Sequence, residues 1–191
     1  ITKIIKAGEK IKTAIRERST KADIANSDWT SCCRGPILKK DLEANLWVCP
    51  DCNKHHYISP TNRFNLMFGK DGWKKIESPH PPPDPYKWED TKKYVDRLKD
   101  AKKITGQDNA ILSCEAKINN IDVVVSAVDF KFIGGSISMA EGENVLAAVQ
   151  TALNKKCPYI FVSASGGMRM MTNILSLMQM TRMTVGINAL R

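Results

Sequence analysis

Pro158–Met180, PYIFVSASGGMRMMTNILSLMQM, is the stretch whose reading decides the fold. It begins as an apolar strand, passes through the pair Gly166–Gly167 and continues as a helix studded with apolar residues. A glycine pair between strand and helix leaves main-chain N–H groups uncovered by side chains, close to the positive end of the helix dipole. Such a turn suits an oxyanion better than it suits a packed core. The expectation is an enzyme that stabilises developing negative charge with the amides of Gly166 and Gly167, not with an acid, base or nucleophile side chain.

Working outward, the 191 residues suffice for one medium domain plus a small module, and a hydrophobic content of 42% can fill a core. No apolar run is long enough to span a bilayer, and the basic start (Lys3, Lys6, Lys10, Lys12, Arg16, Arg18) lacks the apolar block of a secretory signal. An intracellular, soluble protein is expected. The net charge of +9 is uneven: residues 1–103 hold 22 Lys and Arg against 14 Asp and Glu, leaving 7 against 6 in residues 104–191. That basic half could meet nucleic acid, an acidic partner or cofactor phosphates. A solvated helical surface is the blander alternative.

Punctuation divides the chain into a basic amphipathic arm (1–28), a cysteine-rich module (29–59), a linker with helical connection (60–109) and an α/β segment (110–191). The linker holds Pro79, Pro81, Pro82, Pro83 and Pro85, which read as extended chain, followed by a helix over Trp88–Lys103. From Ala110 two strand patterns, ILSCEAKI and IDVVVSAVDF, flank a tight turn at Asn119–Asn120. A helix is expected over about Gly142–Lys156, with Val145, Val149 and Leu153 stacked on one face. Asp129 and Glu143 read as caps or solvated groups. Met168, Met170, Met171, Met178, Met180 and Met183 read as core filler at helical spacing.

Cys49-Pro-Asp-Cys52 is a knuckle-spaced pair, and the loop back to Cys33 has the length a zinc ribbon uses. Soft, anionic thiolates hold tetrahedral zinc, and a small module gains much of its folding energy from the metal. Cys32, Cys33, Cys49 and Cys52 are therefore the expected ligands of one structural Zn2+. Cys32 and Cys33 are adjacent rather than spaced, so Cys32 is the weakest member, with His55 or His56 as substitutes. Cys114 and Cys157 are expected to be plain core residues.

Several motifs together resemble one family. They are WTSC…CRGP (Trp29–Pro36), KKDLEANLWVCPDCNKHHYISP (Lys39–Pro60), Arg63–Phe64, Asp84–Pro85, Lys93–Tyr94 and KKITG (Lys102–Gly106), with AVDFKFIGGS (Ala127–Ser136) and SASGGMRM…ILSLMQM (Ser163–Met180). The chain resembles the beta subunit of the carboxyltransferase component of bacterial and plastid acetyl-CoA carboxylase. The resemblance implies an α/β protein, a zinc ribbon followed by a crotonase-like core in which ββα units stack into a superhelix. It implies transfer of a carboxyl group from biotin, tethered to a carrier protein, to the methyl carbon of acetyl-CoA, giving malonyl-CoA for fatty-acid synthesis. Implied partners are an alpha subunit (alpha2beta2), the biotin carboxyl carrier protein and biotin carboxylase, which consumes the ATP. The implied location is cytoplasm or plastid stroma.

By the same resemblance Gly166 and Gly167 present amides to the thioester or to the biotin carbonyl, with biotin itself as the base. Gly134, Gly135 and Ser136 shape the CoA pocket, and Arg169 either anchors the turn or touches CoA. The chain departs from the family at Met168, where alanine is usual, at Met171-Thr172-Asn173, and at Ser138, where glycine is usual. Met168 is expected to crowd the pocket. The family continues well beyond Arg191, so this piece alone is expected to be inactive. The rival readings are a zinc-ribbon protein that binds nucleic acid and a degenerate, inactive subunit.

Overall fold

A computed structural model describes residues 28–32 and 35–191; the basic arm expected over 1–28 therefore lies, but for Asp28, outside the described residues. The chain divides into two compact units, Ile1–Ile58 and Ser59–Arg191.

The first unit carries a two-stranded antiparallel hairpin, β1 (Trp29–Cys32) and β2 (Gly35–Leu38), and a short helix α1 (Lys39–Ala44). Leu42 is wholly buried, and an isolated bridge joins Val48 to His55 around the Cys49–Cys52 turn. That turn is closed by Asn53 N–H donating to Cys49 O and Cys49 N–H donating to Lys54 O, both at 2.9 Å. Asn53 takes φ +57°, which asparagine tolerates better than most residues.

The second unit is built on a four-stranded sheet of order β3–β4–β5–β6. Its strands are β3 (Trp73–Lys75), β4 (Ile111–Ile118), β5 (Ile121–Val128) and β6 (Tyr159–Val162). β4 and β5 pair antiparallel with Ile118 opposite Ile121. Their turn places Asn119 at φ 49° and Asn120 at φ 65°, the left-handed pair that a two-residue hairpin requires. The connection from β5 to β6 is a crossover, because these two strands are parallel. It is made by helix α4 (Met139–Lys155), which follows α2 (Pro60–Phe68) and α3 (Tyr94–Thr105) in the chain.

Alternation along β5 builds two faces. Val123, Val125 and Ala127 pack with Cys114 and Phe64 of α2. Val124 meets Ala148 and Ala152 of α4, and Val128 meets Val145 and Val149. The sheet is therefore a middle layer between helices, which is the mixed α/β arrangement expected. One complete ββα unit, β4–β5–α4, is followed by a strand and a helix.

Three sequence expectations shift. The helix expected at Trp88 starts at Tyr94, because Asp84 and Asp90 side chains accept from the Trp88 and Lys92 amides and hold the chain in turns. The helix expected near Gly142 starts at Met139, one turn earlier, through a capping box between Ser138 and Glu141. After the glycine pair the chain does not enter a helix. It runs through an irregular loop and a 3-10 turn (Met170–Thr172), and α5 (Asn173–Asn188) begins only there.

α5 also inverts the expected burial. Its buried residues are polar, Ser176 and Gln179, while Ile174, Leu177, Met178, Met180 and Val185 are exposed. Gln179 faces Gly142 of α4, where a Cβ would stand 2.3 Å from its Oε1. Met170, Met178 and Met180 are thus exposed, not core filler; Met183 alone of the six packs in a core cluster.

Candidate active site and thiolate cluster

In the first unit the sulfurs of Cys32, Cys49 and Cys52 lie within 4.8 Å of one another, with Cys32 Sγ and Cys52 Sγ 3.3 Å apart. Tetrahedral zinc at about 2.3 Å from each thiolate needs sulfurs about 3.8 Å apart, so this triad fits three corners of such a site. Cys32, the weakest ligand by sequence, is a member of the triad. Cys33 lies outside the described residues. Neither His55 nor His56 belongs to the cluster. Instead the His56 amide donates to Trp47 O, and burial together with Lys54 lowers the pKa of its ring.

In the second unit both glycine turns leave the carboxyl ends of the parallel pair β5–β6, the edge where α/β sheets usually bind ligands. The two turns are laced together. Gly166 N–H donates to Gly134 O at 2.9 Å, Ile137 N–H to Gly167 O at 2.9 Å, and Arg169 N–H to Ile137 O at 2.8 Å. Gly135 sits at φ +63° with no room for a side chain, since a Cβ there would be 2.2 Å from Ala164 O.

This lacing corrects the expectation of two uncovered amides. The Gly166 N–H is taken by the backbone of the other turn. The Gly167 N–H donates to Ser165 Oγ at 3.1 Å, an exposed and rotatable hydroxyl. The helix dipole is also absent from the turn, because α5 starts only at Asn173. Ser163–Gly167 are exposed, and the half-buried Met168 does not enclose them.

Arg169 is the most constrained side chain of the loop, at 3% exposure. Its Nε donates to Ser136 Oγ (3.0 Å), Nη1 to Tyr94 Oη (3.0 Å), and Nη2 to both Ser136 O (2.5 Å) and Glu141 Oε1 (2.6 Å). The Phe132 ring lies 5.6 Å below the guanidinium carbon. Burial opposes the charged form of Arg169, but the Glu141 carboxylate and Tyr94 outweigh it, and the pKa is raised. These partners, Ser136, Tyr94 and Glu141, tie the Arg169 side chain to the neighbouring turn and to the first turns of α3 and α4. Ser136 is equally committed: its hydroxyl donates to Ile133 O at 2.7 Å and accepts from Arg169.

From sequence Tyr94 stands out only as part of the Lys93–Tyr94 motif, and neither it nor Glu141 is expected at the site. Ser138-x-x-Glu141 is a capping-box pattern and could have flagged Glu141. Nothing around the Lys93–Tyr94 motif announces that the Tyr94 hydroxyl meets Arg169 across 75 residues. A pocket of about 320 Å³ opens beside this network, walled by Pro81–Pro83, Leu98, Lys102 and the start of α4.

The family profile described as carboxyl transferase domain matches residues 93–188, the span that holds both glycine turns and the Arg169 network. The chain belongs to the carboxyl transferase domain family. A protein of Pelagibacter ubique named acetyl-coenzyme A carboxylase carboxyl transferase subunit beta is 53% identical over all 191 residues. The protein of the same name from Beijerinckia indica is 43% identical over 155 residues, 81% of this chain. The chain spans 62% of the first and the match covers 54% of the second. Among solved structures, the P. aeruginosa geranyl-CoA carboxylase beta subunit overlays 78% of this chain and 24% of its own at 19% identity, TM-score 0.49. Transcarboxylase 12S, with methylmalonyl-coenzyme A bound, overlays 67% and 23% at 19% identity, TM-score 0.48. Among the described residues no helix is long and apolar enough to cross a membrane.

Proposed function

We propose that the chain acts in an acetyl-CoA carboxylase carboxyltransferase beta subunit, which makes malonyl-CoA from acetyl-CoA for fatty-acid biosynthesis. The observation that carries this is the 53% identity to the Pelagibacter protein of that name over all 191 residues. Carboxybiotin, on a separate carrier protein, supplies the carboxyl group and the base.

The chain's own contribution is a rigid oxyanion-binding edge. Gly167 N–H is the donor nearest to availability, because its acceptor is a hydroxyl that can rotate away when a stronger acceptor arrives. Gly166 serves the site by holding the Gly134 carbonyl and so the turn, while Gly134, Gly135 and Ser136 shape the adjoining wall. A thioester oxygen gaining charge beside Gly167 would be stabilised in this way, and losing one such donor typically costs on the order of 2.7–4 kcal/mol of barrier. Cys32, Cys49 and Cys52, with Cys33 as the fourth ligand, would hold a structural Zn2+. An alpha subunit, the carrier protein and biotin carboxylase complete the proposed assembly, in cytoplasm or plastid stroma.

The test is reconstitution. The full-length subunit, mixed with its alpha subunit, carboxybiotin and acetyl-CoA, should form malonyl-CoA, and Gly167→Trp should abolish it. No product from the wild-type mixture overturns the proposal.

A further inference from the structure

Three elements that are distant in the chain converge on one guanidinium. Tyr94 opens α3, Glu141 stands in the first turn of α4, and Arg169 leaves the loop after β6. Glu141 is wholly buried and ties two other points as well: its Oε1 accepts from Ala110 N–H at the entry to β4, and its Oε2 from Ser138 N–H, each at 2.9 Å. Arg169 passes this order on. It grips Ser136 by both hydroxyl and carbonyl, and the next residue, Ile137, pairs with Gly167 O and Arg169 N–H.

We propose that Tyr94 and Glu141 are positioning residues, which act through Arg169 to set the orientation of the Gly167 peptide. Both are buried, Tyr94 at 1% and Glu141 at 0% exposure, and both bear on the loop through the Arg169 side chain. The Tyr94 hydroxyl fixes one arm of the guanidinium fork and the Glu141 carboxylate the other. Without either arm the fork can pivot, Ser136 follows it, and the Ile137–Gly167 pairing loses its fixed register. The amide opposite the developing charge then samples directions other than the productive one. This inference rests on the function proposed above, but its structural half can be measured without any turnover.

The experiment uses the full-length subunit in complex with its alpha subunit. Tyr94→Phe removes one oxygen and keeps the buried ring, so the fold survives; Glu141→Gln keeps an acceptor and removes the charge. Hydrogen exchange of the peptide covering residues 163–169 should quicken in both variants, while exchange in β4 and β5 stays at the wild-type rate. The kcat for malonyl-CoA formation should fall about tenfold or more with KM for acetyl-CoA little changed, as loss of orientation at a reacting centre requires. Unchanged exchange at residues 163–169 in Tyr94→Phe overturns the proposal. So does faster exchange with an unaltered kcat, and so does a fall in kcat that only tracks the loss of folded protein. A wild-type complex that makes no malonyl-CoA sinks the proposed function instead, and the exchange result alone then decides whether the clamp exists.

Discussion

Glu141 receives three hydrogen bonds, from Ala110 N–H, Ser138 N–H and Arg169 Nη2, while wholly buried. A buried ion pair adds little net stability over an apolar pair, but removing one partner strands the other charge, at about 3–5 kcal/mol. Glu141→Ala should destabilise the second unit by about that amount, read from the urea midpoint of the full chain. Changing Arg169 and Glu141 together to methionine should lose clearly less than the two single changes combined, because no charge is then left unpaired. Alkaline pH acts at two other residues. Burial pushes the Cys114 thiol from 9.0 up to about 12, and burial outweighs the Ser126 hydrogen bond in pushing Tyr159 from 10.0 up to about 12. Both groups are neutral when protonated, and the unfolded chain gives up these protons first. Their contribution is therefore constant below pH 9 and falls as pH rises from about 9 toward 12. The urea midpoint should drop over that window, and Cys114→Ala should flatten the drop at its lower end.

The lacing of the two glycine turns belongs to the scale of elements, and a pair of neighbouring substitutions tests it. Gly134 and Gly135 both have positive φ, so alanine at either incurs roughly the 1 kcal/mol of a left-handed residue. Only at Gly135 does the added methyl meet a carbonyl, Ala164 O at 2.2 Å; at Gly134 nothing lies within 4 Å. Gly135→Ala should therefore separate the turns and abolish activity of the reconstituted complex, while Gly134→Ala keeps a measurable fraction. The same elements show what sequence can reveal. The β4–β5 hairpin was legible because alternation and the Asn119–Asn120 turn are local, and α4 because its apolar stripe repeats every turn. The loop after β6 was misread as a helix start, since nothing near Gly166 announces that its amide partner lies at Gly134. α5 was misread because its apolar residues suggested a core face, whereas close approach at Gly142 draws Gln179 inward. Arg169 was visible as a motif residue, but its pairing with Tyr94 and Glu141 is long-range and nothing local announces it.

At the scale of the whole molecule, the two units differ in what can hold them folded. The second has a sheet covered by helices and several apolar clusters. In the first, among the described residues, only Leu42 and Cys49 are buried. So small a core falls well short of the entropy lost when a module of this size becomes ordered. Among the described residues the Cys32–Cys49–Cys52 triad is a feature able to add stabilisation, since binding a structural metal at thiolates is itself folding free energy. Adding a strong chelator to the full chain should therefore collapse amide protection in residues 35–58 and leave protection in β4 and β5 as it was. Restoring Zn2+ should restore the first unit, and Cys49→Ser should prevent that recovery. Protection that persists after the metal is stripped, with its removal verified by elemental analysis, would mean that Leu42 and its surroundings suffice. The triad would then be a cluster of thiols and not the support of its unit.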